Sequence, residues 1–90
     1  MCTAVSLKMK EHYFGRNLDV EGNYGETIVI TPRNFILKFR NEQEIKNHYA
    51  IIGIAKKQKG YPLYFDATNE KGLSMAALNF PGNAVYKPVL

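Results

Sequence analysis

Tyr49-Ala50-Ile51-Ile52-Gly53-Ile54-Ala55 is a nearly unbroken apolar run in the middle of a chain of 90 residues. Such a run suits a β-strand covered on both faces. The segments on either side read the same way. Upstream, Thr27 to Thr31 is β-branched throughout and stops at Pro32, as a strand does. Phe35, Leu37 and Phe39 then alternate with Ile36, Lys38 and Arg40, the period-two signal of a half-buried strand, and residues 41–47 form a charged connection. Downstream, residues 61–68 and 73–79 predict two strands paired across Asn69-Glu70-Lys71-Gly72, where Gly72 supplies the left-handed conformation that a hairpin turn needs. At the start, residues 4–7 and 12–18 predict a hairpin around the polar turn 8–11, and residues 21–25 form a glycine-containing loop. The pattern is strands and turns, with no amphipathic helix of useful length.

A chain of this size allows one small domain at most. Its 46% hydrophobic content is that of an ordinary globular protein, and no apolar stretch is long enough to span a membrane as a helix. The first residues lack the basic-then-apolar layout of a secretory signal, so the cytoplasm is the expected compartment. One cysteine excludes an internal disulfide framework and a multi-cysteine zinc site, and His12 and His48 are too few and too far apart to suggest a metal centre. No cofactor is expected. The net charge is +4, and Lys56, Lys57 and Lys59 precede Tyr61, Tyr64 and Phe65, an order found in surfaces that stack on nucleic acid. The run is short, however, and Glu42, Glu44, Asp66 and Glu70 are interspersed through the same half. A solvated hairpin end, with lysines keeping strand edges soluble, explains it without a nucleic-acid partner.

Cys2, the lone cysteine, directly follows Met1. Initiator methionine is readily trimmed before a small residue, and Cys2 would then carry both a thiol and an α-amine. That amine has an ordinary pKa of roughly 7.7–8.0, close to what a general base needs at neutral pH. The thiol can supply a nucleophilic thiolate. A nucleophile with its base in the same residue points to an amide hydrolase, although a lone cysteine is by itself more commonly a small buried hydrophobe.

Further motifs decide between these readings. Met1-Cys2-Thr3, Tyr13-Phe14-Gly15-Arg16-Asn17-Leu18-Asp19, Tyr24-Gly25-Glu26, Thr31-Pro32-Arg33, Tyr61-Pro62-Leu63-Tyr64-Phe65-Asp66-Ala67, Asn69-Glu70-Lys71-Gly72-Leu73 and Leu78-Asn79-Phe80-Pro81-Gly82 occur in that order. Together they closely resemble the choloylglycine hydrolase family, the bile salt hydrolases and penicillin V acylases among the N-terminal-nucleophile hydrolases. Several ordered motifs are far more specific than one short pattern.

The resemblance implies an α+β fold, with residues 1–90 supplying the β-rich, mostly antiparallel N-terminal part of a four-layer αββα domain. The chain would be the truncated N-terminal segment of a single longer domain, folding poorly and turning over nothing when isolated. The implied nucleophile is Cys2, with Arg16 favouring its thiolate and Asp19 orienting its amine. Arg16 and Asp19 point to opposite faces of a regular strand, so both reach Cys2 only if that strand bends or ends between them. Asn79 would donate to the oxyanion, and Val20, Tyr24 and Phe65 would line the apolar pocket for the acyl group. Core packing is an equal alternative for Phe65. Asn17 is expected to pack nearby without a chemical role. The implied substrate is a glycine- or taurine-conjugated bile salt, because asparagine at position 79 is the bile salt hydrolase choice. Penicillin V or N-acyl homoserine lactones are the alternative. A homotetramer is implied for the full-length protein.

Overall fold

The computed structural model describes residues 2–17, 22–23, 25–41, 43–78, 82 and 85. They form nine strands: β1 (Ala4–Lys8), β2 (His12–Arg16), β3 (Thr27–Thr31), β4 (Leu37–Lys38), β5 (Glu44–Ile45), β6 (Ile51–Lys57), β7 (Pro62–Tyr64), β8 (Asp66–Asn69) and β9 (Ser74–Ala76). All pairings between them are antiparallel. No helix occurs among the described residues.

The central sheet is built on the apolar run, as the sequence predicts. Strand β6 lies between β3 on one side and both β7 and β8 on the other, and β9 follows β8. Strand β3 spans the expected residues, and its register sets Ile28 opposite Ile54 and Ile30 opposite Ile52. Directly opposed residues share a face in an antiparallel ladder. Ile28, Ile30 and Ile52 therefore form one apolar face, and they are 67%, 67% and 48% exposed. The expectation that β6 is covered on both faces is corrected here, because no layer among the described residues packs over the isoleucines. The opposite face holds the buried Ala55 and Thr31. There Thr31 Oγ1 shares a 2.7 Å hydrogen bond with the Tyr64 hydroxyl, which satisfies a group taken out of water.

Two further expectations change. The alternating stretch 35–40 contributes only Leu37 and Lys38 to a strand, and they pair with Glu44 and Ile45 inside the supposed connection. Asn34 holds the chain in a bend just before it, with φ of 61° and a side-chain carbonyl that accepts the His48 N–H. Phe35 and Ile36 are consequently exposed, while Leu37 alone is buried.

The expected single strand over residues 61–68 is broken at Phe65. Strand β7 pairs Ala55 with Tyr64, whereas β8 pairs Ile52 with Thr68. Phe65, Asp66 and Ala67 therefore stand opposite only Gly53 and Ile54, which is a β-bulge. Gly53 makes it possible: a Cβ there would collide with the main-chain carbonyl oxygen of Asp66. Asp66 Oδ1 accepts the Ile54 N–H at 3.0 Å, so the break leaves that amide satisfied. One inserted residue also exchanges faces. Tyr64 falls on the side of Ala55 and Thr68 on the side of Ile52.

The lysine run lies where the sequence places it, at a hairpin end. Strand β6 stops at Lys57, β7 begins at Pro62, and Gly60 turns the chain with φ of 92°.

Candidate active site

Strands β1 and β2 form a separate two-stranded sheet with Ala4 opposite Arg16 and Lys8 opposite His12. The hairpin has the expected shape, and it brings the N-terminus alongside residues 16 and 17. Strand alternation sets Cys2 on the face of Ala4, which is also the face of Arg16. Burial follows this alternation: Cys2, Ala4 and Arg16 are half-buried, while Thr3 and Asn17 are exposed. Strand β2 ends at Arg16, which meets the requirement that it end before residue 19.

The hairpin is fastened to the central sheet by the Arg16 guanidinium. Nη1 donates to the Phe65 carbonyl at 2.6 Å and Nη2 to the Ala77 carbonyl at 2.8 Å. The bulge creates the need for this contact. Beyond the β8–β9 ladder, Ala77 N–H donates to Phe65 O at 2.9 Å. The reciprocal bond, from Phe65 N–H to Ala77 O, is missing, because the bulge turns Phe65 N–H to Ile54 O at 2.8 Å. Among the described residues, Arg16 supplies the donor that takes the place of the Phe65 N–H at Ala77 O. A planar fork of N–H groups suits two neighbouring acceptors in a way that an ammonium group does not.

This contact leads to an open, mostly apolar cavity of about 240 Å³, lined by residues 64–67 and 75–77, with Asp66 among them. Phe65 is half-buried and faces this space from the bulge, so it is both packed and available as a wall. A larger cavity of about 370 Å³ opens between the end of β3 and the β6–β7 turn, with Phe35, Ile36, Lys38 and Lys57 in its lining. It contains none of the side chains expected to act, and the smaller one adjoins Arg16.

The structure thus joins three of the expected residues to one locality: Cys2 and Arg16 on the hairpin, and Phe65 through its carbonyl. Asp19, Val20, Tyr24 and Asn79 lie outside the described residues. Two contributors go beyond the roles read from the sequence, which left Gly53 unassigned and expected Asn17 only to pack nearby. One is Gly53, whose position inside an apolar strand is a known mark of a bulge or a close backbone approach. The other is Asn17, whose main-chain carbonyl accepts Arg16 Nε at 3.1 Å and whose side chain accepts the Thr3 N–H. Among the described residues no group of three or more His, Cys, Asp or Glu side chains could hold a metal ion. No helix there is long and apolar enough to cross a membrane.

A strong charge pair lies away from this site. Arg33 donates from Nε to Glu70 Oε1 at 2.7 Å and from Nη2 to Glu70 Oε2 at 2.5 Å. The Arg33 hydrogen bonds, followed by the Ala50 N–H on the same carboxylate, hold the Glu70 pKa down at about 2. Arg33 is correspondingly held more firmly in its charged form.

The Cys2-bearing hairpin is thus bridged through main-chain carbonyls to the rim of an apolar hollow. The profile of the choloylglycine hydrolase family, described as linear amide C–N hydrolases, matches residues 2–89. A bile salt hydrolase/transferase from Lactiplantibacillus plantarum is 53% identical over 87 residues, covering 97% of this chain and 27% of that protein. A conjugated bile acid hydrolase from Lactobacillus gasseri is 46% identical over 88 residues, covering 96% of this chain and 28% of the relative. Among solved structures, a cysteine-to-alanine mutant of conjugated bile acid hydrolase from Clostridium perfringens superposes with a TM-score of 0.84 at 39% identity, covering 96% of this chain and 27% of that one. The chain belongs to the choloylglycine hydrolase family of linear amide C–N hydrolases. It spans about a quarter of the length of the curated relatives it matches.

Proposed function

We propose that the intact protein carrying this segment cleaves the amide bond of glycine- or taurine-conjugated bile acids, with Cys2 as the N-terminal nucleophile. The observation that carries this reading is the Arg16 bridge, which ties the Cys2-bearing hairpin to the bulge at Phe65 and so to the mouth of an apolar cavity. The names of the relatives supply the substrate class. A steroid acid presents a broad apolar body, and a hollow in which Phe65, Met75 and alanines line most of the wall beside Tyr64 and Asp66 is suited to one.

With Met1 removed, the Cys2 α-amine takes the thiol proton as the thiolate attacks the amide carbonyl. The amine then returns that proton to the departing nitrogen of glycine or taurine. A thioester remains on Cys2, and water releases the bile acid. An amine arriving in place of water would give acyl transfer, in keeping with the hydrolase/transferase name of the L. plantarum relative. In this reading Arg16 favours the thiolate by its charge, Asp19 orients the amine, and Asn79 donates to the oxyanion. Val20 and Tyr24 join Phe65 around the acyl group. The remaining layers of the domain come from sequence outside these residues, and the bare face of Ile28, Ile30 and Ile52 is the surface they would cover. The protein would act in the cytoplasm as a homotetramer.

The test is Cys2→Ala in the intact protein, with release of glycine from glycocholate as the readout. Loss of turnover, with an intact mass that shows Met1 absent from the wild type, supports the reading. Turnover within tenfold of wild type would sink it. The ratio of kcat/KM for glycocholate to that for penicillin V decides between bile salts and penicillin V.

A further inference from the structure

We infer that Asn17 is a positioning residue for the amide-cleaving site: its side chain fixes Thr3, and through it the terminal Cys2, in register with Arg16. This inference rests on the nucleophile reading of Cys2 and adds a residue to it. The β1–β2 register continues past Ala4 and Arg16 to set Thr3 opposite Asn17. That position falls in the hydrogen-bonded series of the ladder, to which the Met9 N–H to Glu11 O bond at 2.8 Å also belongs. Asn17 N–H donates to Thr3 O at 3.1 Å, as such a pair requires. The return bond is different. Thr3 N–H donates to the side-chain Oδ1 of Asn17 at 2.5 Å instead of to its main-chain carbonyl. That carbonyl is thereby left to accept Arg16 Nε at 3.1 Å.

One residue thus closes the ladder beside the nucleophile and holds the arginine that fastens the hairpin to the Phe65 bulge. The position matters because chain ends fray unless they are tied down. A mature N-terminal residue has a peptide link on one side only, so its nucleophile is placed largely by the residue that follows it. Both main-chain polar groups of Thr3 are bound by Asn17. Small misplacements of a reacting group cost on the order of 10²-fold in rate. The role needs a side chain that accepts the Thr3 N–H.

The experiment compares Asn17→Leu and Asn17→Asp with wild type and Cys2→Ala in the intact protein, following glycocholate cleavage against pH and checking each variant's thermal unfolding. Leucine matches asparagine in size and cannot accept the Thr3 N–H. It should lower kcat by roughly 10²-fold with KM within a few-fold of wild type. Aspartate keeps the acceptor, so it should recover most of kcat at its own optimum. Its negative charge beside Cys2 should move the acidic limb of the pH profile upward. If Asn17→Leu fails to fold, Asn17→Ser, polar but too short to reach Thr3, carries the same expectation. Wild-type kcat in the leucine or serine variant, with Cys2→Ala inactive, would overturn the role of Asn17 and leave the nucleophile standing. Equal losses in leucine and aspartate variants would overturn it too. An active Cys2→Ala variant would instead remove the reading beneath it.

Discussion

Arg16 and Phe65 are 49 positions apart, yet one 2.6 Å hydrogen bond from the guanidinium to the Phe65 main-chain carbonyl joins them. The same guanidinium holds Ala77 O at 2.8 Å, the acceptor that the bulge strips of its ladder partner. This link between hairpin and central sheet is one side chain against backbone, and any residue can occupy the backbone side of it. Side-chain covariation would not reveal such a contact.

Replacing Arg16 by lysine should be costly even though the charge survives. A single ammonium nitrogen cannot reproduce the fork, so at least one of the two carbonyls loses its charged donor. Hydrogen bonds to charged groups are worth about 1.5–3 kcal/mol. We expect the urea midpoint of the intact Arg16→Lys protein to fall accordingly with an unchanged slope, and kcat/KM to fall with it. An unchanged midpoint would show that the bridge contributes nothing to stability.

Gly53→Ala tests the bulge. The new methyl would meet the Asp66 carbonyl oxygen and the Ala67 Cα, both main-chain atoms that cannot swing aside. Overpacking of this kind costs about 1–3 kcal/mol. Because Phe65 would shift with its strand, activity should drop further than stability alone explains. Chemical denaturation and turnover, measured on the same preparation, separate the two.

Tyr64→Phe removes the partner of Thr31 Oγ1, a hydroxyl on a residue only 3% exposed. Leaving such a group unsatisfied costs about 1–3 kcal/mol, whereas removing both partners is nearly neutral. The double variant Thr31→Val with Tyr64→Phe should therefore be more stable than Tyr64→Phe alone. Additive losses in a double-mutant cycle would contradict the pairing.

Acid should weaken the tie between the β3–β4 turn and the β8–β9 turn. The Glu70 pKa falls from an ordinary 4.5 to about 2, chiefly through Arg33, so folding favours its ionised form. Its contribution is complete above about pH 4.5 and is lost as the pH falls through about 2. The urea midpoint of wild type should drop across that window more steeply than that of Glu70→Gln, which has no proton to bind. Parallel curves would assign the acid sensitivity to other carboxylates.

The β-rich architecture was legible because side-chain alternation and turn residues are local properties. Strand β3 ends where Pro32 ends it, and the β6–β7 turn falls at Gly60 as the lysine run suggests. The first hairpin is correct in position and differs only in its ends. Strand β4 was overextended, because alternation in residues 35–40 says nothing of the bend that Asn34 and His48 impose before it. The site was legible as a set of names. Cys2, Arg16 and Phe65 were named by motif, and Asn17 was expected only to pack nearby, because its bond to Thr3 depends on which strand lies opposite.

The sequence by itself determined the strand-forming segments, the turns, the cysteine behind the initiator methionine and the family to which the chain belongs. Only the tertiary structure decided that residues 65–67 bulge against Gly53 and Ile54, and that Arg16 meets the carbonyl this leaves exposed. The division has a physical cause. Periodicity and turn chemistry act over a few residues and are written in their side chains. The offset between two paired strands is set by partners far away, and the backbone acceptors it exposes are identical at every position along the chain.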